Sequence, residues 1–498
     1  LTGFHAQALS GLLFARRLKL GKIISHEFFV SELRTLEIRK AEVNVLLEAY
    51  QILKANTLAR LGITMWPKLP TRSFPHNRKE PRTFMAQGFP RWIVAFCCII
   101  GSSASFNITF GQENRVTSTP SSDLPLNQFL PKSRLKTPQT PLLHARYPVV
   151  DLHTHFHVRL RHDLDSLDNF VKVMDRNSIA VCISLDGTLG DRWFEHKKYL
   201  QSKYAHRFAI FANIDFIGKG VKEKPETWDS NQPEFVRWTC ERLREAAADG
   251  ACGLKFFKQF GLEYRNRDGS LTQIDDPRFD PIWRTCAELS LPVIMHTADP
   301  SAFFEPIDAT NERFEELSRH PEWAFPADKF PSRASLLEAR NRVIAKHPAT
   351  KFIAAHMGND GEDLTQAAEW LDQFPNLYLE IASRISELGR QPYSARRFVI
   401  RYQDRILFGT DGPWPEERLR LYWRFLETED EYFPYSEKPF PPQGFWNIYG
   451  INLPDDVLRK IYYQNAIGLI PGLKAKYENT IAVMKSTPDK ESSDPASK

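Results

Sequence analysis

The chain has 498 residues, 42% hydrophobic and 26% charged. That is the make-up of a globular protein, and it excludes collagen-like and wholly disordered chains. The net charge of +5 is unevenly spread: residues 1–84 hold 14 Lys/Arg against 6 Asp/Glu, so the remainder is slightly acidic and no nucleic-acid surface is expected. No apolar run reaches the roughly 18 residues of a membrane span. The six cysteines include no CxxC pair, which argues against a disulfide framework or a zinc knuckle.

The first residue is Leu. Residues 27–61 lack Pro and Gly and repeat apolar positions three and four apart, which predicts an amphipathic helix without chemistry of its own. At Met85 the sequence changes character. A single positive charge, Arg91, precedes nine apolar residues at 92–100, and small residues follow. This is the layout of a secretory signal with cleavage after Ala104; a buried strand or short core helix is the other reading. If the signal is real, Met85 is the biological start, residues 1–84 are an over-extended gene, and the mature protein is periplasmic or extracellular. If not, it is cytoplasmic. Residues 105–147, rich in Ser, Thr and Pro, form a linker or wrapping arm. Residues 476–498 are expected to be a polar tail.

Between them, residues 148–475 alternate apolar runs with amphipathic helices. The runs are 148–152, 179–185, 208–214, 250–257, 291–295, 351–355, 377–381 and 405–408. Helical patterns cover 235–248, 281–289, 335–346 and 363–373. Continuous apolar strands separated by helices imply a parallel sheet buried on both faces. Eight such units predict an α/β fold, a (β/α)8 TIM barrel with insertions. A doubly wound open sheet would call for a Gly-rich phosphate turn after the first strand, and none is present.

Polar residues cluster where these runs end. The first ends in Asp151-Leu-His153-Thr-His155, and side chains two apart on a strand share a face, so both imidazoles point into the barrel mouth. His296 ends the fifth run, His356 the sixth, and Asp411 follows the eighth. Strand C-termini converge on one face of a closed barrel. Any one of these residues alone would be a satisfied core histidine or a loop cap; the set at corresponding positions argues for a site.

His153-x-His155, His296, His356, the Gly409-Thr-Asp411-Gly412 turn and the late Tyr463-x-Asn465-Ala466 segment resemble the amidohydrolase superfamily, specifically the amidohydrolase-related group that also holds aminocarboxymuconate-semialdehyde decarboxylase. The resemblance spans about residues 148–472. It implies a metal shell of His153, His155, His296 and Asp411, with His356 as a catalytic histidine and Asp411 also moving protons. The implied cofactor is a divalent metal, Zn2+ first, with Mn2+, Fe2+ and Co2+ accepting the same ligands. It implies hydroxide generated on that metal and a carbonyl polarised by His356. Lys255, ending the fourth run, is either a carbamylated bridge to a second ion or a partner for a substrate carboxylate or a structural group, so one ion is expected, and two if it is carbamylated.

His157 would face inward nearer the rim. Arg384 is a candidate anion clamp or a surface arginine, and Trp414 is a further substrate-contact candidate. Asp151 is expected to orient a neighbour. The connection 298–330 and the aromatic-rich 422–449, ten aromatics in 28 residues, are expected to shape the rim. The second is a lid, a homo-oligomer interface or outer packing.

The leading expectation is a hydrolase acting on a small-molecule amide, ester or lactone. The alternative is a metal-dependent decarboxylase of an unsaturated or aromatic acid, which a Lys or Arg beside the metal would favour. A scavenging protein without turnover is a third reading, against which His356 and Asp411 speak.

Overall fold

The computed structural model describes residues 132–436 and 443–486, together with 125, 129 and 438. The helix expected at 27–61, the signal-like segment 85–104 and the start of the linker lie outside the described residues. Eight parallel strands pair in sequence order: β1 (Val149–Thr154), β2 (Ile179–Thr188), β3 (Phe208–Asn213), β4 (Leu254–Phe256), β5 (Val293–Met295), β6 (Phe352–Ala354), β7 (Leu377–Glu380) and β8 (Ile406–Leu407). β1 meets β8 through Leu152 N–H to Phe408 O at 3.1 Å and His155 N–H to Gly412 O at 2.7 Å, so the sheet closes into a TIM barrel. Each expected run supplies one strand.

Alternation along the strands builds two cores. Val293, Met295, Phe352, Leu377 and Ile406 pack outward under the helices, while Ile294, Ile353 and Leu407 fill the inside. Both faces are dry, which is why the strands read as continuous apolar runs. Helices Phe235–Ala248, Asp280–Glu288, Arg333–Lys346 and Leu364–Gln373 stand where the periodicity placed them, within two residues at each end.

One boundary differs from expectation. The polar tail begins later than residue 476, because helix Leu473–Ser486 buries Leu473, Tyr477 and Thr480. Lys476 Nζ donates to Ala205 O and Thr480 Oγ1 to His206 O, so this helix covers the strand N-termini, opposite the functional face. At the other end of the barrel chain, the described part of the linker wraps the body. Thr140 N–H and Oγ1 both bond Asp430, at 2.8 and 2.6 Å, and Arg146 N–H bonds Glu427. Among the described residues no helix is long and apolar enough to cross a membrane.

Leu473 is fully buried against the inner core. Leu473→Ala should therefore destabilise the barrel by about 2–4 kcal/mol, measured as a lower urea midpoint with an unchanged slope.

Candidate active site

β1 delivers His153 buried and His155 half-buried at the barrel mouth. Their Nε2 atoms face each other at 3.1 Å, and Asp411 Oδ1 stands 3.8 Å from the first and 3.6 Å from the second. Each Nδ1 is held by a carboxylate: His153 by Glu380 Oε1 at 2.8 Å, His155 by Asp186 Oδ1 at 2.7 Å. A carboxylate accepts, so each ring carries a proton on Nδ1, and in the neutral form that binds a metal it presents a bare lone pair at Nε2. With both rings in that form, two lone pairs and a carboxylate oxygen converge. That arrangement is repulsive alone and is relieved by a cation. Imidazole, imidazole and carboxylate are also the donor types a divalent metal takes, and carboxylates behind the histidines are the usual support. The residues fit the ion.

Burial holds His153 well below the ordinary histidine range, so it stays neutral, as a ligand must. Burial alone would raise Asp411, but the electrostatics of the mouth, with Arg159 its permanent positive charge, outweigh it and hold the carboxyl below the usual range. Asp411 itself has φ +64°, a left-handed backbone that turns its side chain back over the mouth, where Ser383 Oγ donates to Oδ2 at 3.2 Å.

His356 reaches the site by an unusual route. Residues His356 to Asn359 all have positive φ (57°, 58°, 69° and 56°), one left-handed turn directly after β6. Non-glycine residues resist this region at about 1–2 kcal/mol each. The turn is held from every side. Glu380 accepts His356 N–H at 2.7 Å, Arg340 donates to Gly358 O at 2.7 Å, and Arg384 donates to Asn359 Oδ1 at 2.8 Å and His356 O at 3.3 Å. Asn359 Nδ2 bonds the carbonyls of Thr297 and Ala298, and Arg333 donates to the carbonyl of Asn359. His356 Nδ1 donates to Ala382 O at 2.9 Å, which leaves a lone pair at its Nε2 too. The neutral ring is therefore an acceptor, and it becomes a donor only after taking a proton.

His296 stands at the same mouth, its ring centroid 4.4 Å from that of His356. Its Nε2 turns towards Asp299 Oδ1 at 3.4 Å, and it is not part of the tight group of His153, His155 and Asp411. Lys255 is fully buried on β4, and its Nζ has no hydrogen-bond partner. His157 is exposed: β1 ends at Thr154 and the chain turns into helix Phe156–Leu160, so strand alternation does not carry to it. Its N–H bonds Asp186 Oδ2 at 2.8 Å. Arg384 is buried, and its guanidinium is committed to the left-handed turn and to Ser383 O. Trp414 lies at the rim between two guanidinium groups, Arg159 at 3.8 Å and Arg418 at 3.5 Å from the ring centroid. Asp151 orients β8, accepting from Thr410 Oγ1 at 2.5 Å and Thr410 N–H at 3.1 Å; burial lifts it to about 7.

Glu380, Asp186 and Asp299 were not among the expected residues. Each is an acid within five residues after the start of an apolar run's last turn or end (LYLEI, ISLDG, MHTADP), the same signal that singled out Asp411.

A closed parallel barrel with this donor set at its C-terminal mouth defines a metal-dependent enzyme. A family profile described as Amidohydrolase matches residues 150–471. The chain belongs to the amidohydrolase family, and by that membership it is a metal-dependent enzyme, a hydrolase or a decarboxylase. No curated protein matches it. Among solved structures it is similar to an uncharacterized TIM-barrel protein, Bb4693, of Bordetella bronchiseptica, at 14% identity over 66% of this chain and 99% of that one, TM-score 0.40. It is also similar to a 2,6-dihydroxybenzoate decarboxylase from Rhizobium (16%, 66% and 99%, TM-score 0.40). A third is the dihydroorotase of Campylobacter jejuni (13%, 64% and 82%, TM-score 0.37).

Two outcomes follow from this geometry. Glu380→Gln leaves a packed fold but weakens the hold on His153 and on the His356 turn, and should lower metal affinity about 10–100-fold in a competition titration with a chelating dye. In metal-free protein, burial drops His296 to about 4 from its ordinary 6.5. The unfolded chain therefore binds that proton more readily between these values, and stability present above pH 6.5 is lost as the pH falls towards 4. The urea midpoint should fall across that window, and less steeply in His296→Gln.

Proposed function

We propose that this chain hydrolyses an amide, ester or lactone of a small molecule, with one divalent ion, zinc first, held by His153, His155 and Asp411 and completed by His296. The observation that carries the reading is the convergence of two imidazole nitrogens, whose rings are fixed by Glu380 and Asp186, with an Asp411 carboxylate oxygen. Bound there, the ion would acidify a water and polarise a carbonyl.

The remaining work falls to side chains. Asp411 is half-buried and ionised, so it takes the proton of the attacking water and returns it to the leaving group. His356 offers a lone pair at Nε2, so it accepts the second proton of the attacking water as the adduct collapses, donates to the adduct's oxyanion while it holds that proton, and releases it to solvent with the product. The rim, with Trp414 and His157, orients the substrate. Export rests on the signal-like segment from Met85 to Ala104; the aromatic-rich 422–449 serves mainly as packing over the barrel, since Tyr422, Trp423, Phe425, Phe433 and Tyr435 are buried in the chain's own core.

Decarboxylation of an unsaturated or aromatic acid is the second reading. It draws on Lys255, whose unpartnered ammonium suits a carboxylate.

The test is turnover of metal-loaded protein on a panel of aryl esters, lactones and amides, and of aromatic acids assayed for released CO2. Asp411→Asn should lower kcat about 100-fold or more, and chelation should abolish activity that one equivalent of zinc restores. Unchanged kcat in Asp411→Asn removes the proton-transfer role. Full activity in metal-free protein ends the metal reading.

A further inference from the structure

Lys255 is a buried cation whose Nζ bonds no carboxylate; Glu380, Asp411 and Asp186 act on it only at longer range. Its register partner on β5, Ile294, belongs to the inner core, so the side chain rises inside the barrel towards the mouth. Its Nζ lies 5.3 Å from the centroid of Phe257, whose ring is in turn 5.9 Å from that of His155. Burying an unpaired ammonium costs several kcal/mol, and the usual answer is a carboxylate partner.

Every nearby carboxylate is already engaged. The two oxygens of Glu380 accept three N–H groups, from His153, His356 and Ala382. Asp186 accepts from His155 and from His157 N–H. Asp299 takes Lys258 Nζ at 2.5 Å on one oxygen and faces His296 with the other. Asp411 is shared between the histidine pair and Ser383. None of them bonds Lys255. A second orphan lies just beyond β5: Oγ1 of Thr297, the residue after His296, is buried and unbonded.

The approach to the site is cationic as well. Arg159 donates to Asp411 O at 2.8 Å and, with Arg418, encloses the ring of Trp414. An anion arriving at this rim meets two guanidinium groups before it meets Asp411.

We propose that Lys255 is the anchor for a carboxylate of the substrate, so that the substrate of this site is a carboxylic acid bearing the reacting group elsewhere. The inference rests on the metal-site reading above and adds the class of molecule that site accepts. Burial lowers Lys255 to about 8, which leaves it largely charged at neutral pH and ready to pair.

Benzoate and benzamide share a shape and differ in charge, and they serve as probes. Calorimetric titration of the full-length, metal-loaded protein should give benzoate at least about tenfold tighter binding than benzamide, the worth of one charge-assisted hydrogen bond. Lys255→Met should abolish that preference at unchanged metal content. The same variant should melt no lower than wild type without ligand, since it replaces an unpartnered buried ammonium by an apolar chain. Lys255→Gln serves the same test should the Met variant not fold.

Three results overturn the proposal: a benzoate preference retained in Lys255→Met, no benzoate binding to metal-loaded wild type, or an intact mass showing one CO2 added at Lys255. The metal content of the same samples separates the two readings. A wild type that takes up no metal removes the metal site; a metal-loaded Lys255→Met that still prefers benzoate removes only the anchor.

Discussion

The two carboxylate oxygens of Glu380 hold three strands' worth of geometry. One bond runs to the His153 ring on β1, one to His356 N–H after β6, and one to Ala382 N–H beyond its own strand, β7. The first sets the tautomer of a metal-facing imidazole. The second stabilises the opening residue of a left-handed turn. Burial pushes the Glu380 carboxyl up, and the backbone N–H groups work against that rise. The same bonds therefore keep the group an acceptor and keep the mouth in register.

The turn that follows has its own balance. Three non-glycine residues in left-handed geometry cost about 1–2 kcal/mol each. Hydrogen bonds from charged groups are worth about 1.5–3 kcal/mol each, and Arg340, Arg333 and Arg384 each supply at least one. These are similar magnitudes, so the turn survives because three arginines, two of them buried, are committed to it. This explains why Arg384, three residues beyond an apolar run and read there as an anion clamp or a surface arginine, is found inside the protein. Its donors aim at the carbonyl and side-chain oxygens that shape the approach to His356.

Much of this was legible in the chain. Strand number, order and closure followed from eight apolar runs, because a sheet buried on both faces has no polar alternation to blur them. The histidines and Asp411 were legible because they end those runs. What escaped has a common cause. Glu380 and Asp186 lie inside or at the edge of apolar runs and act by supporting other residues, and a lone acid in such a run carries no spacing that names its partner. The partners are 227 and 31 residues away in sequence. The reach of strand alternation to His157 also failed, since a hydrogen bond from its N–H to Asp186 comes with a turn into helix, and that is a tertiary matter. The tail boundary failed for a similar reason: helix Leu473–Ser486 is polar along much of its surface and is held by burying a few residues under the barrel.

The position of Lys255 bears on which reaction the mouth supports. β4 and β8 are four strands apart in a ring of eight, so Lys255 and Asp411 approach the mouth from opposite sides. A substrate carboxylate paired with Lys255 therefore enters on the β4 side, across the mouth from Asp411. An ammonium also stabilises a carboxylate more than the transition state in which that carboxylate leaves as CO2, because the charge moves off it onto carbon. Binding energy spent on the ground state does not speed such a step. A carboxylate on Lys255 is better suited to a spectator, one that orients a second, reacting carbonyl towards Asp411 and the histidines. On that argument the buried cation, which on composition alone favours a decarboxylase, in its actual place supports hydrolysis of an acid at a site remote from its carboxylate.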